Sequence, residues 1–488
     1  MKSGIKKVLL LQPNYAVLGK RIWKMPPYNL ALLYACIKDS YDTVLEDANF
    51  DGASAEELKR KLLDIKPDAV GITSFSTEYI EEIRWHARLV KDVLPEAVVV
   101  LGGVLPSVWA EKIVEDPAID YCILGEGEYR LPALLAALNK GEMPGPELCG
   151  VAYRDGQPVV RAPAYYIEDL DQVPFPDYGN LDFLKYGRYV HKYSAQMIPR
   201  QYPFACTITS RGCPYKCVFC SAALQSGKKV RMRSSANVLN EIDAMVKTYG
   251  IREVIFMDDH FLHNLNRARD IMQGLLERSW GLTWKCYNLS VWSLTEDILR
   301  MMKDSGSYQM TLSIESGNQD VLKRLIKKPV DLVQARTMIR LAQSMGFEII
   351  TNFIVGMPGE TWAQIRETMQ YAEDIDVDVV NFHIATPLPK TALMKTFLEK
   401  GLLKSEDELS GYTIPAFEGR SDEEFSGQDL QILRAFEWDR INFKTREKQQ
   451  KVAALYGLTM AELDHWRRET RKNLGATTRW KERFEEKI

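Results

Sequence analysis

Short runs that are nearly all apolar recur along this chain, each followed by a longer amphipathic stretch. That alternation limits the fold more tightly than any other feature of the sequence. A strand that is apolar on both sides must be covered on both faces, the condition met by parallel sheets wound with helices. The first 140 residues hold five such units. Strands are predicted at 6–13, 43–49, 68–76, 97–103 and 120–125, with helices near 28–39, 54–65, 78–93, 107–115 and 127–139. The expected fold class is α/β, opening with a doubly wound, Rossmann-like domain whose ligands sit beyond the carboxyl ends of the strands.

Six further units follow from residue 204, with strands predicted at 204–210, 253–259, 283–289, 309–315, 348–356 and 379–385. Their helices open on capping residues, as in SANVLNEIDAMVKTYG. Six parallel units can curl into a partial (β/α)6 barrel, again with its site at the strand C-termini. Between the two halves, VAYRDGQPVV reads as a hairpin around Asp155-Gly156, followed by a Pro-rich connector. Past residue 404 the chain becomes helical and richly charged. That tail reads as a cap over the barrel mouth, with Trp438, Arg440 and Phe443 as candidate pocket residues. The expected division is 1–145, 146–195 (linker), 196–404 and 405–488.

Composition narrows the function classes. Across 488 residues, 63 Lys and Arg face 66 Asp and Glu, a net charge of −3, so no overall basic field draws nucleic acid. No apolar run approaches the roughly 18 residues of a membrane span. The opening MKSGIKKVLLLQPNY turns polar too soon for a secretory leader. Eight scattered cysteines do not form a disulfide framework in a chain this long, and the expected compartment is the cytoplasm.

Three of those cysteines nevertheless fall within RGCPYKCVFC, as Cys213-x3-Cys217-x2-Cys220, directly after the first strand of the second set. Thiolates so close can wrap one face of a cluster, and soft sulfur suits iron–sulfur or zinc. A structural zinc is closed by four ligands, and no histidine lies near the triad in sequence. Cys206 or Cys286 as a distant fourth ligand stays open, although both sit in strand-like runs. In the first domain Ser74, Ser76 and Thr77 offer hydroxyls beyond a strand end, and Gly102 and Gly103 let a ligand approach the backbone. A dinucleotide reading fails there: the first turn lacks G-x-G-x-x-G, GEGEYR lacks the third glycine, and no Walker A sequence occurs.

The C-x3-C-x-aromatic-C spacing after a first barrel strand resembles the signature of radical S-adenosylmethionine (SAM) enzymes. MPPYNLALLYA, DAVGITSFST, VVVLGGVLPS and IDYCILGEGE resemble the cobalamin-binding domain fused to many of them. The resemblance implies a [4Fe–4S] cluster on Cys213, Cys217 and Cys220, with Phe219 alongside and one iron left for SAM. It implies that Asp258 and Asp259 of FMDDHF stand at the methionine amino group, and Glu315 and Ser316 of LSIESGNQ at the ribose and methionine moieties. Gly356 of NFIVGMPGET would flank the adenine, while Lys390 replaces a glycine usual in the last strand's turn. Cobalamin would lie against Ser74, Ser76, Thr77, Gly102, Gly103, Gly125, Glu126 and Glu128. Where related domains carry D-x-H-x-x-G, residues 47–52 keep Asp47 and Gly52 but place Asn49 at the histidine. An amide is a poor ligand beside imidazole, so cobalamin is expected with its own base displaced and no protein histidine on cobalt. His260, His263 and His383 are not expected to be catalytic.

The activity implied is transfer of a methyl group from SAM, via methylcobalamin, to an unactivated carbon, with a second SAM generating the substrate radical. The alternative within the fold is a radical cyclase or ring-rearranging enzyme without net methyl transfer. A methylthiotransferase would carry a second cysteine triad, whereas Cys36, Cys122 and Cys149 are scattered. A non-enzymatic cobalamin sensor would leave Cys213, Cys217 and Cys220 without purpose. Expected partners are a small-molecule, lipid, tetrapyrrole or peptide substrate and an electron donor such as flavodoxin or ferredoxin, with no nucleic acid and no membrane span.

Overall fold

The computed structural model describes residues 4–19, 24–163, 165–188, 195–406 and 424–472. Five parallel strands open the chain: β1 (Lys7–Gln12), β2 (Asp42–Asp47), β3 (Ala69–Ser74), β4 (Val98–Gly103) and β5 (Tyr121–Ile123). They alternate with α1 (Tyr28–Ile37), α2 (Ala48–Asp51), α3 (Ala55–Ile65), α4 (Ile80–Val93), α5 (Val104–Ile113) and α6 (Arg130–Asn139). In β1, Leu9 and Leu11 enter one core while Val8 and Leu10 enter another. The period of two therefore buries both faces, as the apolar runs demand.

The predicted hairpin forms as β6 (Val151–Asp155) and β7 (Gln157–Arg161). It does not stand apart as a linker. β6 pairs antiparallel with β5, giving one seven-stranded sheet in the order β2-β1-β3-β4-β5-β6-β7. The division expected at residue 145 thus falls inside a sheet. The strand order reverses between β1 and β3, and doubly wound sheets open their ligand crevice at such a switch point.

The connector then returns along the other edge. Asn180 closes on β2, its amide accepting from the Leu45 N–H (2.8 Å) and donating to the Leu45 carbonyl (2.9 Å). Tyr178, Phe183 and Tyr186 are buried there. Further on, Glu253 accepts from the backbone N–H groups of Arg200 and Gln201. Lys285, fully buried, donates to the Ile198 carbonyl (2.6 Å).

The second half starts with β8 (Phe204–Thr207) and a small antiparallel ribbon, β9 (Ser210–Arg211) with β10 (Arg231–Met232). The remaining strands are β11 (Glu253–Phe256), β12 (Thr283–Cys286), β13 (Gln309–Glu315), β14 (Glu348–Val355) and β15 (Val379–Ile384). The helices are α7 (Ala222–Ser226), α8 (Ser235–Tyr249), α9 (Leu265–Glu277), α10 (Glu296–Asp304), α11 (Leu332–Ser344), α12 (Trp362–Asp374) and α13 (Ala392–Glu399). β8-β11-β12 and β13-β14-β15 are parallel sheets joined by bridges at Trp284–Ser307 and Leu289–Leu312. Among the described residues nothing pairs β15 back to β8, so the barrel is partial.

The tail supplies α14 (Gly427–Asn442), α15 (Arg446–Leu455) and α16 (Met460–Lys472). Of the unit expected at 405–488, residues 407–423 and 473–488 lie outside the described residues. The described helices do not bear out a cap that points Trp438, Arg440 and Phe443 at the mouth. Trp438 and Phe443 pack with Tyr456 and Trp466 against Ile350 and Val379, near the starts of β14 and β15. Arg440 pairs with Glu373 (2.7 Å) and Glu437 (2.8 Å). α14 instead covers the open edge of β15, where Asn442 accepts from the Val380 N–H and donates to its carbonyl. No described helix is long and apolar enough to cross a membrane.

Candidate cofactor and reaction site

The cysteine loop is closed at its base by the β9–β10 ribbon. Gly212 takes φ +91, and a Cβ there would meet the Lys229 carbonyl oxygen at 2.3 Å, so the turn requires glycine. Val218 pins the middle of the loop: its N–H donates to the Ile326 carbonyl (3.1 Å) and its carbonyl accepts from Leu393 (2.8 Å). Tyr215 braces the outside, accepting from the Trp292 indole (2.9 Å) and stacking on His260. Burial pushes His260 down to about 4, so its ring is neutral.

Cys213 and Cys217 are half-buried and Cys220 is exposed. Burial pushes all three thiols up, Cys217 to about 11. They hold protons at neutral pH until a metal displaces them. Cys206 and Cys286, the candidates for a fourth ligand, are buried inside β8 and β12. Among the described residues no three His, Cys, Asp or Glu form a ready-made metal-ion site; the loop supplies three thiols, a donor set that suits a cubane cluster with one open iron and not a closed structural zinc. Phe219 lies in the same loop, half-buried against the main core.

The two adjacent aspartates have different settings. Asp258 is buried and accepts from the Thr209 N–H and hydroxyl (2.8 Å) and from the Ser210 hydroxyl, fastening β11 to the loop after β8. Asp259 opens onto a cavity, and burial followed by the Asp258 charge pushes its carboxyl up to about 6. Glu315 ends β13 at a bulge and pairs with Lys328 at 2.7 Å. Ser316 is buried, bonded to the Thr368 hydroxyl and the Asn318 N–H. Gly356 sits at the end of β14, where a Cβ would meet Leu430 of α14 at 2.4 Å.

In the first domain, hydroxyls and glycines stitch the strand ends together. Ser74 donates to the Gly102 carbonyl (2.7 Å) and accepts from the Leu105 N–H (3.0 Å). Ser107 donates to the Gly103 carbonyl (2.7 Å) and accepts from the Gly125 N–H (2.9 Å). Ser76 caps the short turn that begins at Thr77, and neither lines the cavity. Asn49 is buried in α2, between Asp47, which accepts from the Tyr186 hydroxyl, and Gly52 at φ +65. Its side-chain oxygen accepts from the backbone of Tyr15, and Tyr15, not Asn49, lines the cavity. The first loop is held in turn by His86, whose Nε2 accepts from the Asn14 N–H and whose Nδ1 donates to the Glu82 carbonyl.

The cavity, about 440 Å3, lies between the two halves at the β1/β3 switch point. Ser74, Gly102, Gly103, Gly125, Glu126 and Glu128 line one side, and Ser210, Arg211 and Asp259 the other. Leu10, Gly71, Val100 and Ile123, from β1, β3, β4 and β5, line it as well. Glu126 and Glu128 are engaged by the barrel: Arg211 reaches both (3.1 and 2.5 Å), and Arg231 reaches Glu126 (2.6 Å). Burial would raise the Glu128 carboxyl, but Arg211 holds it below its ordinary value. Arg211, Tyr15, Ser107 and Lys328 were missed in the sequence. Arg211 had a local signal in its place two residues before Cys213, Ser107 closes the VVVLGGVLPS stretch and Tyr15 lies in the first strand-end loop, whereas Lys328 had none.

Residues 16–135 match the B12 binding domain family and residues 207–372 the radical SAM superfamily. Over 404 residues the chain is 30% identical to an uncharacterized methyltransferase of Pyrococcus horikoshii, covering 82% of this chain and 84% of the relative. It is 29% identical to the anaerobic magnesium-protoporphyrin IX monomethyl ester cyclase of Rubrivivax gelatinosus, covering 81% of this chain and 70% of the cyclase. The fold matches the solved structure of the radical SAM methyltransferase TsrM from Kitasatospora setae with cobalamin and its cluster bound. The TM-score is 0.69 at 18% identity, over 81% of this chain and 78% of that one. The chain belongs to the cobalamin-dependent radical SAM enzymes. Its cofactors are cobalamin, a [4Fe–4S] cluster and SAM.

Proposed function

We propose that the chain is a methyltransferase that carries a methyl group from SAM, by way of cobalamin, to an unactivated carbon of its substrate. The observation that carries this reading is a cavity bounded by the strand ends of both halves, so that groups held by either would face one another. When bound, the cofactors would supply a transferable methyl group and the radical chemistry that removes hydrogen from the substrate carbon receiving it. Cys213, Cys217 and Cys220 hold the cluster on this reading, with Phe219 packed beside them. Asp259 offers the SAM amino group an acceptor at the cavity wall. Glu315 lies at the ribose, while Asp258, Ser316 and Gly356 shape the strand ends behind them. Ser74, Gly102, Gly103 and Gly125 would present a backbone rim to the corrin, and the lining at Leu10, Gly71 and Val100 would take its displaced base. Tyr15 stands between Asn49 and the cavity, which supports cobalt free of a protein histidine. Glu126 and Glu128 hold the barrel against that rim through Arg211. The reductant is of the flavodoxin or ferredoxin class and the compartment is the cytoplasm.

The test is anaerobic reconstitution with iron, sulfide, cobalamin and reductant, followed by methyl-labelled SAM. Label on cobalamin, with S-adenosylhomocysteine and 5′-deoxyadenosine, is the expected result. Deoxyadenosine with unlabelled cobalamin would overturn methyl transfer and favour a cyclase-type reaction, the second reading that the cyclase relative motivates.

A further inference from the structure

Beside the cysteine loop stands a buried ammonium for which the reaction as described has no use. Lys328 follows a wide, π-type turn at Val321–Ile326 and a left-handed Lys327 at φ +61. Such turns are rare and recur at functional sites. The turn is tied to the cysteine loop, because the Ile326 carbonyl accepts from the Val218 N–H. The Lys328 side chain is 9% exposed and its partner Glu315 7%, with 2.7 Å between them. Trp292, which also donates to Tyr215 of the loop, lies 5.7 Å from the ammonium on another side. Glu315 itself takes φ +74 at the β13 bulge. Holding a non-glycine residue there costs energy, so the pair is over-determined by its surroundings. Val218 lies between Cys217 and Cys220, and Tyr215 between Cys213 and Cys217, so these two ties bring the turn that carries Lys328, and the ring beside its ammonium, to the cysteine loop.

We infer that Lys328 is a charge-balancing, positioning residue of the cluster site: its ammonium, fixed by Glu315 and Trp292, favours the one-electron-reduced and more negative form of the bound iron–sulfur group. The electron comes from a low-potential one-electron donor, and no bond to Lys328 forms or breaks. The inference rests on the cluster assignment above but not on methyl transfer.

The experiment is a mediated redox titration of the reconstituted holoenzyme, read by electron paramagnetic resonance with dithionite as reductant and iron counted per chain. Lys328→Met should leave at least tenfold less of the cluster reduced at a fixed poise, about 59 mV in midpoint. Lys328→Arg keeps the charge and should stay near wild type. Because Lys328→Met strands a buried carboxylate, Lys328→Met with Glu315→Gln removes both charges, and its midpoint should fall between wild type and the single variant. Wild-type midpoints in both Met variants, or an Arg variant shifted as far as Met, would overturn the inference. A wild type without a cluster would overturn the cluster assignment as well. Failure of methyl labelling alone leaves the midpoint comparison intact.

Discussion

A Cβ on Gly103 would lie 2.2 Å from the Ser74 carbonyl oxygen, at a φ of +96 that side chains avoid. Gly103→Ala should therefore destabilise the first domain by about 1–3 kcal/mol and weaken cobalamin binding, measured by thermal melting and cobalamin titration. His86 predicts a pH dependence. Burial holds its ring down at about 4 against an ordinary 6.5, so below pH 6.5 the unfolded chain takes a proton that the folded chain refuses. Stability is lost as pH falls from 6.5 toward 4. Between pH 7.5 and 5 the wild type should lose about 2 kcal/mol more than His86→Gln, read from the first domain's denaturant transition. At this scale the sequence showed whatever is local. Ser74, Gly103 and the cysteine triad mark themselves by spacing, whereas Tyr15 hides Asn49 and Lys328 meets Glu315 only through tertiary contacts.

Strand edges are closed by asparagine side chains that imitate a neighbouring strand. Asn180 does this for Leu45 and Asn442 for Val380, and Asn139 pairs in the same way with Ile5 just ahead of β1. A primary amide carries a donor and an acceptor side by side and so can give and take with the same backbone residue, and a closed edge cannot template another chain. Asn442→Leu should leave two polar groups of Val380 without partners and cost about 1–3 kcal/mol. Faster amide exchange along β15, with the preceding strands unchanged, is the expected signature. Loss of protection everywhere would argue against an edge role. The periodicity that located all eleven main strands could not reveal these closures, since an asparagine in a connector or at a helix end looks the same whichever strand it meets. The Asp-Gly turn gave away the hairpin for the same local reason, while its pairing with β5 depended on an edge left open far upstream. The tail's charge pattern defined helices but not the face they would cover.

At the scale of the whole molecule, the two halves are joined by buried charge. Arg211 is 14% exposed in its side chain, Glu126 5% and Glu128 7%. Breaking such a cluster from one side strands the other, so Arg211→Met should cost about 3–5 kcal/mol. Adding Glu128→Gln should return part of that loss, and a double-mutant cycle by thermal unfolding checks the coupling. Neither arginine nor carboxylate betrays this in sequence, because Arg211 and Glu128 stand 83 positions apart. Family matches at 16–135 and 207–372 leave residues 136–206 unclaimed. Yet that stretch extends one sheet with a hairpin, seals its far edge through Asn180, and sends Ile198 to Lys285 beneath the barrel. Recombination between relatives at either border would thus graft a barrel onto a foreign foundation. An exchange that respects the molecule's joinery moves the two halves together with the segment between them, so such chains should be inherited as a unit rather than shuffled as parts.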